Sequence, residues 1–215
     1  MSFKNQSAAL ENMVIVRDVL ARRNIPLFLN FGTLLGAVRE RAFIPHDHDV
    51  DMGIYERDID KFLAALPELS DCGLGVCGIW GNKRCYSLLR SGEQLDVFVT
   101  RERRFLFHRT WNLDGKASIP ATYLDSLEDI DFLGYSFKVP HDPIGVVRNL
   151  YGRTWNIPID GKVSRVDFAS RSVTALKSPG KTFAYVPTFI GNRIKWALAA
   201  RRTERDRARG GRPAA

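Results

Sequence analysis

The 215-residue sequence predicts an α/β (α+β) fold in which helices flank a mixed β-sheet. Apolar residues recur every three or four positions in some segments and alternate with period two in others, which indicates both helices and strands. The two kinds of segment are interleaved along the chain, as expected when helices pack on the faces of a sheet. A hydrophobic content of 45% is sufficient for the core of one domain.

The first part of the chain alternates helices with strands. Helical spacing of apolar residues predicts each helix, and Pro26 ends the first of them. Short apolar runs predict the strands, and the second strand alternates strictly between apolar and small or acidic residues. The predicted elements are helix 10–20, strand 27–31, helix 34–42, strand 48–54 and helix 56–66.

The second part is richer in strands and closes with one well-marked helix. The pair Gly81-Asn82 predicts a turn between two strands, and Leu133-Gly134 predicts the turn of a hairpin. The last helix has Asp142 as its N-cap, proline at its first position and glycine just after its end. The predicted elements are strands 74–80, 84–89, 94–99 and 105–108, hairpin 130–139 and helix 143–151.

The stretch FGTLLGAVRERAFIPHDHDVDMGI places three carboxylates at alternate positions: Asp47, Asp49 and Asp51. On a strand, Asp49 and Asp51 lie on the same face, about 7 Å apart along the chain. A further acid, Asp96, interrupts the apolar strand LDVFV, where a buried carboxylate needs a partner. We therefore expect Asp96 to join Asp49 and Asp51 if its strand lies alongside theirs.

Converging carboxylates raise one another's pKa and destabilise a fold unless a cation neutralises them. Oxygen ligands suit the hard divalent cations Mg²⁺ and Mn²⁺. Two such ions about 3.5–4 Å apart would bridge a phosphate, activate an attacking hydroxyl and stabilise the leaving oxygen. The acidic pattern therefore indicates a metal-dependent transfer of a phosphorylated group.

The pair Gly32-Thr33 lies where a strand ends and a helix begins. The free amides of a helix N-terminus, a glycine that permits close approach and a hydroxyl together suit a phosphate. A phosphate site a few residues before a strand with two carboxylates is typical of phosphoryl- or nucleotidyl-transfer enzymes.

Each of these features also has a purely structural interpretation. The Gly-Thr pair is consistent with an ordinary turn, and the alternating aspartates with a solvated edge strand. Asp47 can be a loop residue that pairs with an arginine. Three arginines are candidate phosphate contacts or solvated surface residues: Arg84, Arg90 and Arg109.

The segment GTLLGAVRERAFIPHDHDVDMGI resembles the signature of the LicD family, which includes fukutin and fukutin-related protein. That signature is Gly-Thr/Ser-Leu-Leu-Gly, an arginine, and then Ile-Pro-Trp-Asp-x-Asp-x-Asp. The segment PHDPIGVVRNLYGRTW, residues 140–155, resembles a later family segment in which a helix ends in Tyr-Gly followed by Trp. The likeness covers about residues 10–158.

The resemblance implies a nucleotidyltransferase fold, similar to the polymerase-beta palm. It also implies the family's activity, transfer of a phospho-alcohol such as phosphocholine or a phosphoalditol from its CDP-activated form to a glycan hydroxyl. The expected partners are thus a CDP-alcohol donor and a glycan or lipid-linked glycan acceptor, with release of CMP. The resemblance implies Mg²⁺ or Mn²⁺ as the cofactor.

Carried over position by position, the resemblance assigns catalytic and metal-binding roles to three aspartates: Asp49, Asp51 and Asp96. It assigns Gly32 and Thr33 to the phosphate and matches Arg39 to the arginine of the intervening helix. In the implied mechanism Asp96 helps to deprotonate the acceptor hydroxyl.

Two histidines depart from the family pattern. His46 replaces the usual tryptophan, and it either stacks on a base or sugar or packs in the tryptophan's place, which we favour. His48 alternates with the acidic residues, so we expect it to face the opposite side of the strand. These differences affect the identity of the donor more than the chemistry.

The formal charge of +8 is concentrated near the C-terminus. Residues 193–212 contain eight basic and two acidic residues, a net +6 that leaves +2 for the rest of the chain. A nearly neutral body argues against a nucleic-acid partner, which would need a basic face. We expect a transferase domain at 1–187 and a basic amphipathic helix with a disordered tail at 188–215. That helix either lies on an anionic membrane surface or docks on the domain.

The remaining expectations concern location and alternative functions. The sequence shows neither the pattern of a secretory signal nor an apolar run of about 20 residues, which predicts a cytoplasmic protein, peripheral at the inner face of the membrane if the tail binds lipid. Three cysteines favour free thiols over a disulfide framework. The alternative functions are transfer of a nucleotide monophosphate to a small molecule and a non-catalytic, membrane-associated accessory role.

Overall fold

The apolar alternation of residues 48–54 and 94–99 forms two neighbouring strands at the centre of a mixed sheet. The computed structural model describes residues 3–82, 84–114 and 117–158. The helices are α1 (Gln6–Arg22), α2 (Phe31–Arg39), α3 (Ile59–Asp71) and α4 (Pro143–Tyr151). The strands are β1 (Phe28–Leu29), β2 (Asp49–Tyr55), β3 (Gly75–Trp80), β4 (Cys85–Arg90), β5 (Glu93–Phe105), β6 (His108–Asn112), β7 (Ser118–Pro120), β8 (Leu127–Phe132) and β9 (Tyr135–Pro140).

The strand order is β3-β4-β5-β2-β1-β9-β8, and β6 and β7 extend from the second half of β5. Strands β2 and β5 pair in parallel, as do β1 and β9, whereas the other pairs are antiparallel. Helix α1 packs against α3 and β5, and α2 packs against β2 and α4. The predicted mixed sheet flanked by helices is therefore confirmed.

The register of β2 and β5 positions the acidic residues. Asp51 lies opposite Asp96, and Asp49 lies opposite Gln94. The alternate positions of both strands are apolar and buried in the core: Val50, Met52, Ile54, Leu95, Val97 and Val99. Burial of such a side chain contributes about 1.5–3 kcal/mol, so a one-residue slip of register would be costly. The hydrophobic pattern thus holds the carboxylates on a common face.

Helix α2 begins earlier than the sequence predicted. The expected strand 27–31 shortens to Phe28–Leu29, because Asn30 acts as the N-cap of α2 and accepts a hydrogen bond from the Phe31 amide at 3.0 Å. Phe31 itself has φ +36°, a left-handed conformation that is strained for a bulky residue. The helix N-terminus consequently lies immediately beside β2.

The predicted end of α3 and the predicted strand 105–108 were also wrong. Helix α3 continues through Pro67 to Asp71, because its apolar face still contributes buried residues such as Leu69. The predicted strand 105–108 is instead the connection of a hairpin: β5 ends at Phe105 and β6 begins at His108. Apolar character alone suggested a strand where the chain in fact reverses direction.

The turn and cap signals of the sequence were confirmed. Residues 81–82 and 133–134 have positive φ angles between paired antiparallel strands. Asp142 caps α4 by accepting a hydrogen bond from the Gly145 amide at 2.7 Å, and Gly152 ends the helix with φ +88°. Helix α4 is therefore positioned by its local sequence.

Two expectations concern the membrane and the tail. Within the described residues, none of the helices combines the length and apolar character required to cross a bilayer. The predicted tail helix, the boundary at residue 187 and the disordered end lie outside the described residues.

The cysteines described are free thiols, as expected: Cys72, Cys77 and Cys85.

Candidate active site

Three carboxylates converge on one face of the central strand pair. Asp49 and Asp51 project from β2 and Asp96 from β5, and one oxygen atom of each lies within 4.8 Å of the others. We call these three residues the acidic cluster. The convergence follows from period two on β2 and from the parallel register with β5. Their roles as metal ligands and catalytic residues stay predictions.

The acidic cluster is electrostatically unfavourable by itself. Burial raises the pKa of Asp51 well above its usual range, and the charges of Asp49, Asp96 and Asp47 raise it further. Burial also raises the pKa of Asp96 to about 6, with a contribution from the charge of Asp49. Hydrogen bonds to both carboxylates oppose these shifts only in part. The fold therefore keeps like charges together where folding alone would separate them.

The donor chemistry of the acidic cluster fits a hard divalent cation. All three ligand groups are carboxylates, which suit Mg²⁺ or Mn²⁺. A bound cation would favour the ionised forms and remove the cost of their mutual repulsion. The residues of this site thus fit the metal that the sequence pattern predicted, without specifying which ion binds.

The Gly32-Thr33 pair contacts Asp51 directly. The Gly32 amide donates to Asp51 Oδ2 at 3.0 Å, and the Asp51 amide donates to Thr33 Oγ1 at 2.8 Å. The Thr33 hydroxyl is buried, so it anchors the backbone of β2. The pair thereby orients Asp51, while contact with a phosphate stays a prediction.

Glycine at position 32 is required by the approach of two carboxylates. A Cβ atom there would lie 2.4 Å from Asp47 Oδ2 and 3.3 Å from Asp51 Oδ2. Gly32→Ala should therefore displace the Asp47 carboxylate and weaken Mn²⁺ binding by about tenfold. Calorimetric titration checks this, and the melting temperature should hold steady because alanine suits a helix better than glycine. Unchanged Mn²⁺ affinity would show that the carboxylates relax at no cost to the site.

The Asp96 carboxylate is held by neighbours on β4 and β5. Gln94 Nε2 donates to Asp96 Oδ1 at 2.9 Å. The Ser87 side chain, directly opposite Asp96 in the sheet, also hydrogen-bonds to its carboxylate. Trp80 Nε1 donates to Ser87 Oγ at 2.8 Å, which leaves the Ser87 hydroxyl proton for Asp96. These residues fix the orientation of Asp96 before any ligand binds.

Removing the Ser87 hydroxyl should loosen Asp96. Ser87→Ala is expected to weaken Mn²⁺ binding about tenfold, since partners that orient metal ligands typically contribute 10- to 100-fold. Loss of the hydrogen bond from Trp80 to Ser87 should cost about 1 kcal/mol of unfolding free energy. Calorimetric titration and thermal unfolding measure the two effects, and Ser136→Ala on β9 is the control. Wild-type Mn²⁺ affinity in Ser87→Ala would contradict the orienting role.

Sequence reasoning missed Asp47 as part of this site. Its carboxylate approaches Gly32 and raises the pKa of Asp51, so it lies beside the acidic cluster. The expectation for His48 was also wrong. Its Nε2 lies 3.8 Å from Asp49 Oδ2, and it forms a second potential metal-binding group with Asp47 and Asp49. Strand β2 begins only at Asp49, so strand alternation does not apply to His48.

Sequence reasoning also missed Tyr151, at the C-terminus of α4. Burial raises the pKa of its phenol, and the charges of Asp51 and Asp47 raise it further, which places the ring near the acidic cluster. The Tyr-Gly ending of the helix was the available signal. The charge of Arg39 lowers the pKa of the same phenol, and Arg39 Nη1 donates to the Trp155 carbonyl at 3.1 Å while its Nε pairs with Glu40. Arg39 thus ties α2 to the segment after α4.

The remaining candidate residues are His46 and three arginines. His46 is exposed in the turn before Asp47, so the preference for packing was wrong, and substrate binding by His46 stays a prediction. Three arginines contact protein groups: Arg84 bonds to Asn112, Arg90 to Glu11 and Asn12, and Arg109 to Glu102 and Asp125. The structure therefore supports a structural interpretation of these three arginines.

Known proteins resemble this chain in both sequence and structure. Uncharacterized protein RP689 of Rickettsia prowazekii is 28% identical over 156 residues, covering 70% of this chain and 56% of that protein. Human ribitol-5-phosphate transferase FKTN is 29% identical over 163 residues, covering 72% of this chain and 34% of the human protein. The chain therefore spans between about a third and just over half of the length of these curated relatives.

The fold has a solved counterpart. The solution structure of the antibiotic-resistance factor ANT(2'')-Ia superposes with a TM-score of 0.50 at 10% identity, covering 94% of this chain and all of that one. At such identity the likeness concerns the fold alone. The sequence profile of the LicD/FKTN/FKRP nucleotidyltransferase domain matches residues 24–142, more than half of the chain, and that range includes the whole acidic cluster. This protein is a member of the LicD/FKTN/FKRP family and has its nucleotidyltransferase fold.

Proposed function

We propose that this protein is a metal-dependent phosphotransferase. It moves a phospho-alcohol, such as phosphocholine or a phosphoalditol, from a CDP-activated donor to a glycan hydroxyl and releases CMP. Family membership supports a transferase, and the activity in the name of one relative, human ribitol-5-phosphate transferase FKTN, supports the class of group transferred. Because the chain spans only 34% of that relative, the identities of the donor and the acceptor have to be tested by experiment.

The acidic cluster is the observation that carries the proposal. Its three oxygen donors lie within 4.8 Å of one another, and Asp51 is buried among like charges. The cost of this arrangement is expected where a cation and a phosphorylated substrate bind. When bound, a divalent cation would neutralise phosphate charge and polarise the bond to the leaving group.

The chain's own residues then position both substrates. The Gly32 amide and Thr33 hold Asp51 in place, so the carboxylates need no rearrangement when the donor binds. Two residues are candidate contacts for the donor: the exposed His46, and Tyr151, whose phenol feels the charges of the acidic cluster. We assign Arg39 to holding the wall formed by the segment after α4.

Asp96 is the proposed base. Burial raises the pKa of Asp96 to about 6 in the metal-free site, and a bound cation would favour its ionised form, which can accept a proton from the acceptor hydroxyl near neutral pH. The hydroxyl oxygen forms a bond to the phosphorus atom that carries the alcohol. The bond from that phosphorus to the bridging oxygen breaks, and CMP leaves with the bridging oxygen. The hydroxyl proton passes to an Asp96 carboxylate oxygen.

Product analysis tests the proposal. The full chain is incubated with Mg²⁺ or Mn²⁺, a panel of CDP-alcohols (choline, glycerol and ribitol) and hydroxyl-bearing glycan acceptors. We expect CMP release and an acceptor that gains the mass of one phospho-alcohol. A nucleotide attached to the acceptor would instead identify nucleotidyl transfer to a small molecule. Absence of both products, with CDP-alcohol binding intact, would favour the accessory role.

A further inference from the structure

The tip of the hairpin between β5 and β6 exposes two large apolar side chains. Leu106 is 80% exposed and Phe107 is 100% exposed, and these two residues alone connect the strands. Their high exposure shows that both side chains project into solvent at the tip of the hairpin. The site described above does not involve this hairpin tip.

Folding does not favour these residues at the tip. Leu106 has φ +51°, a left-handed conformation that suits glycine or asparagine much better than leucine. Two-residue hairpin turns are usually built from glycine, asparagine or aspartate for that reason. Among the residues that the structure describes, Leu106 and Phe107 are left largely exposed to water, and adjacent exposed apolar side chains of this size are typical of an interaction surface.

Basic side chains surround the apolar tip on both strands. Arg103, Arg104 and His108 are exposed, and Arg109 lies directly opposite Arg104 across the hairpin. Two like charges in directly opposite positions repel one another. Glu102 contacts both arginines and Asp125 pairs with Arg109, so these two acids balance the charges of that pair. The excess positive charge beside the tip comes from the exposed Arg103.

We propose that this hairpin tip docks the protein on an anionic lipid surface. Phe107 and Leu106 would enter the boundary between headgroups and acyl chains, and Arg103 would bind a lipid phosphate. Two apolar residues next to an exposed arginine match the layering of an anionic membrane interface. A convex tip fits a deformable lipid layer better than a preformed protein groove. This inference is independent of the proposed function.

The docking tip is separate from the acidic cluster. Asp96 lies near the start of β5 and the tip follows its end, a separation of up to roughly 30 Å along the strand. Substitutions at the tip should therefore leave metal binding unchanged. That separation makes lipid binding and catalysis testable one at a time.

Vesicle sedimentation of the full chain tests the proposal. We expect binding to phosphatidylcholine vesicles that contain phosphatidylglycerol and much weaker binding to phosphatidylcholine alone. The double variant Leu106→Ser, Phe107→Ser should bind the anionic vesicles at least about tenfold more weakly. Arg103→Gln should weaken binding about fivefold.

A matched control separates the tip from general hydrophobicity and from the basic tail. Leu133→Ser changes an apolar residue at another hairpin turn, with φ +56°, and should bind vesicles like the wild type. Because every variant keeps the same C-terminal residues, tail binding contributes equally to all. Phe107→Trp provides a local readout, since brominated lipids should quench the added indole.

The outcomes are distinct. Loss of binding in the double variant together with quenching of the Phe107→Trp signal would support docking by the tip. Wild-type binding by the double variant, or an unquenched indole, would overturn the proposal in favour of the tail. Failure of the wild type to bind any vesicle would also overturn it and leave the tip as a surface for a protein partner.

Discussion

Replacing Asp51 or Asp96 with asparagine should reduce CMP release by about 10³-fold or more without unfolding the protein. Asparagine keeps the shape of aspartate and one acceptor oxygen, but it replaces the other oxygen with an amide donor and removes the charge that a cation requires. The fold should persist because both carboxylates are held against like charges, with raised pKa values, and so contribute little to stability. Chromatographic measurement of CMP and circular dichroism provide the two readouts.

An exposed aspartate supplies the matched control for this experiment. Asp129 on β8 pairs with Lys138 at 2.7 Å, far from the acidic cluster in the strand order. Asp129→Asn should leave CMP release within about twofold of the wild type, because exposed ion pairs contribute little. Near-native turnover in Asp49→Asn or Asp96→Asn would remove the basis for the catalytic assignment.

Adding Mg²⁺ or Mn²⁺ to chelator-treated protein should raise its melting temperature by about 5–10 °C at a concentration 100 times the dissociation constant. At that ratio the linkage free energy is about 2.7 kcal/mol, and 1 kcal/mol shifts a domain of this size by about 2–4 °C. Thermal unfolding followed by circular dichroism measures the shift. Asp51→Asn should abolish most of it. An equal shift in wild type and Asp51→Asn would place the ion elsewhere.

The same variant should be more stable than the wild type in chelator. Asp51 has a raised pKa in the folded state, so the native protein binds more protons than the unfolded chain above about pH 4, and stability falls as pH rises. Asp51→Asn removes this loss and should melt about 2–4 °C higher near neutral pH. The difference should close below about pH 4, where the carboxyl is protonated in both states. A difference that does not change with pH would contradict the electrostatic cause.

The shared face of Asp49 and Asp51 and the need of Asp96 for a partner were predictable because they follow from short-range rules. Period two places Asp49 and Asp51 on one face of β2, and an aspartate within an apolar strand demanded a partner. The caps of α4 were also readable, since Asp142, Pro143 and Gly152 act on neighbouring backbone groups. Local hydrogen bonds and side-chain periodicity leave clear patterns in a single sequence.

Contacts between distant elements were not predictable in the same way. Asp47 lies just before β2, and only the approach of α2 shows that its carboxylate borders Asp51. Tyr151 reaches the site because α4 packs on α2. Ser87 orients Asp96 because β4 pairs with β5 in one particular register. Apart from the Tyr-Gly ending of α4, these contacts have no local sequence signature.

The sequence by itself determined the alternation of helices and strands, the face on which Asp49 and Asp51 lie, and the family motif. These depend on backbone periodicity and on side chains a few positions apart. Only the tertiary structure decided that Asp96 meets the other two acids and that Gly32 and Thr33 form hydrogen bonds with Asp51. It also decided that Leu106 and Phe107 project into solvent. Those outcomes depend on strand register and on the packing of distant elements, which the burial of the whole core decides at once.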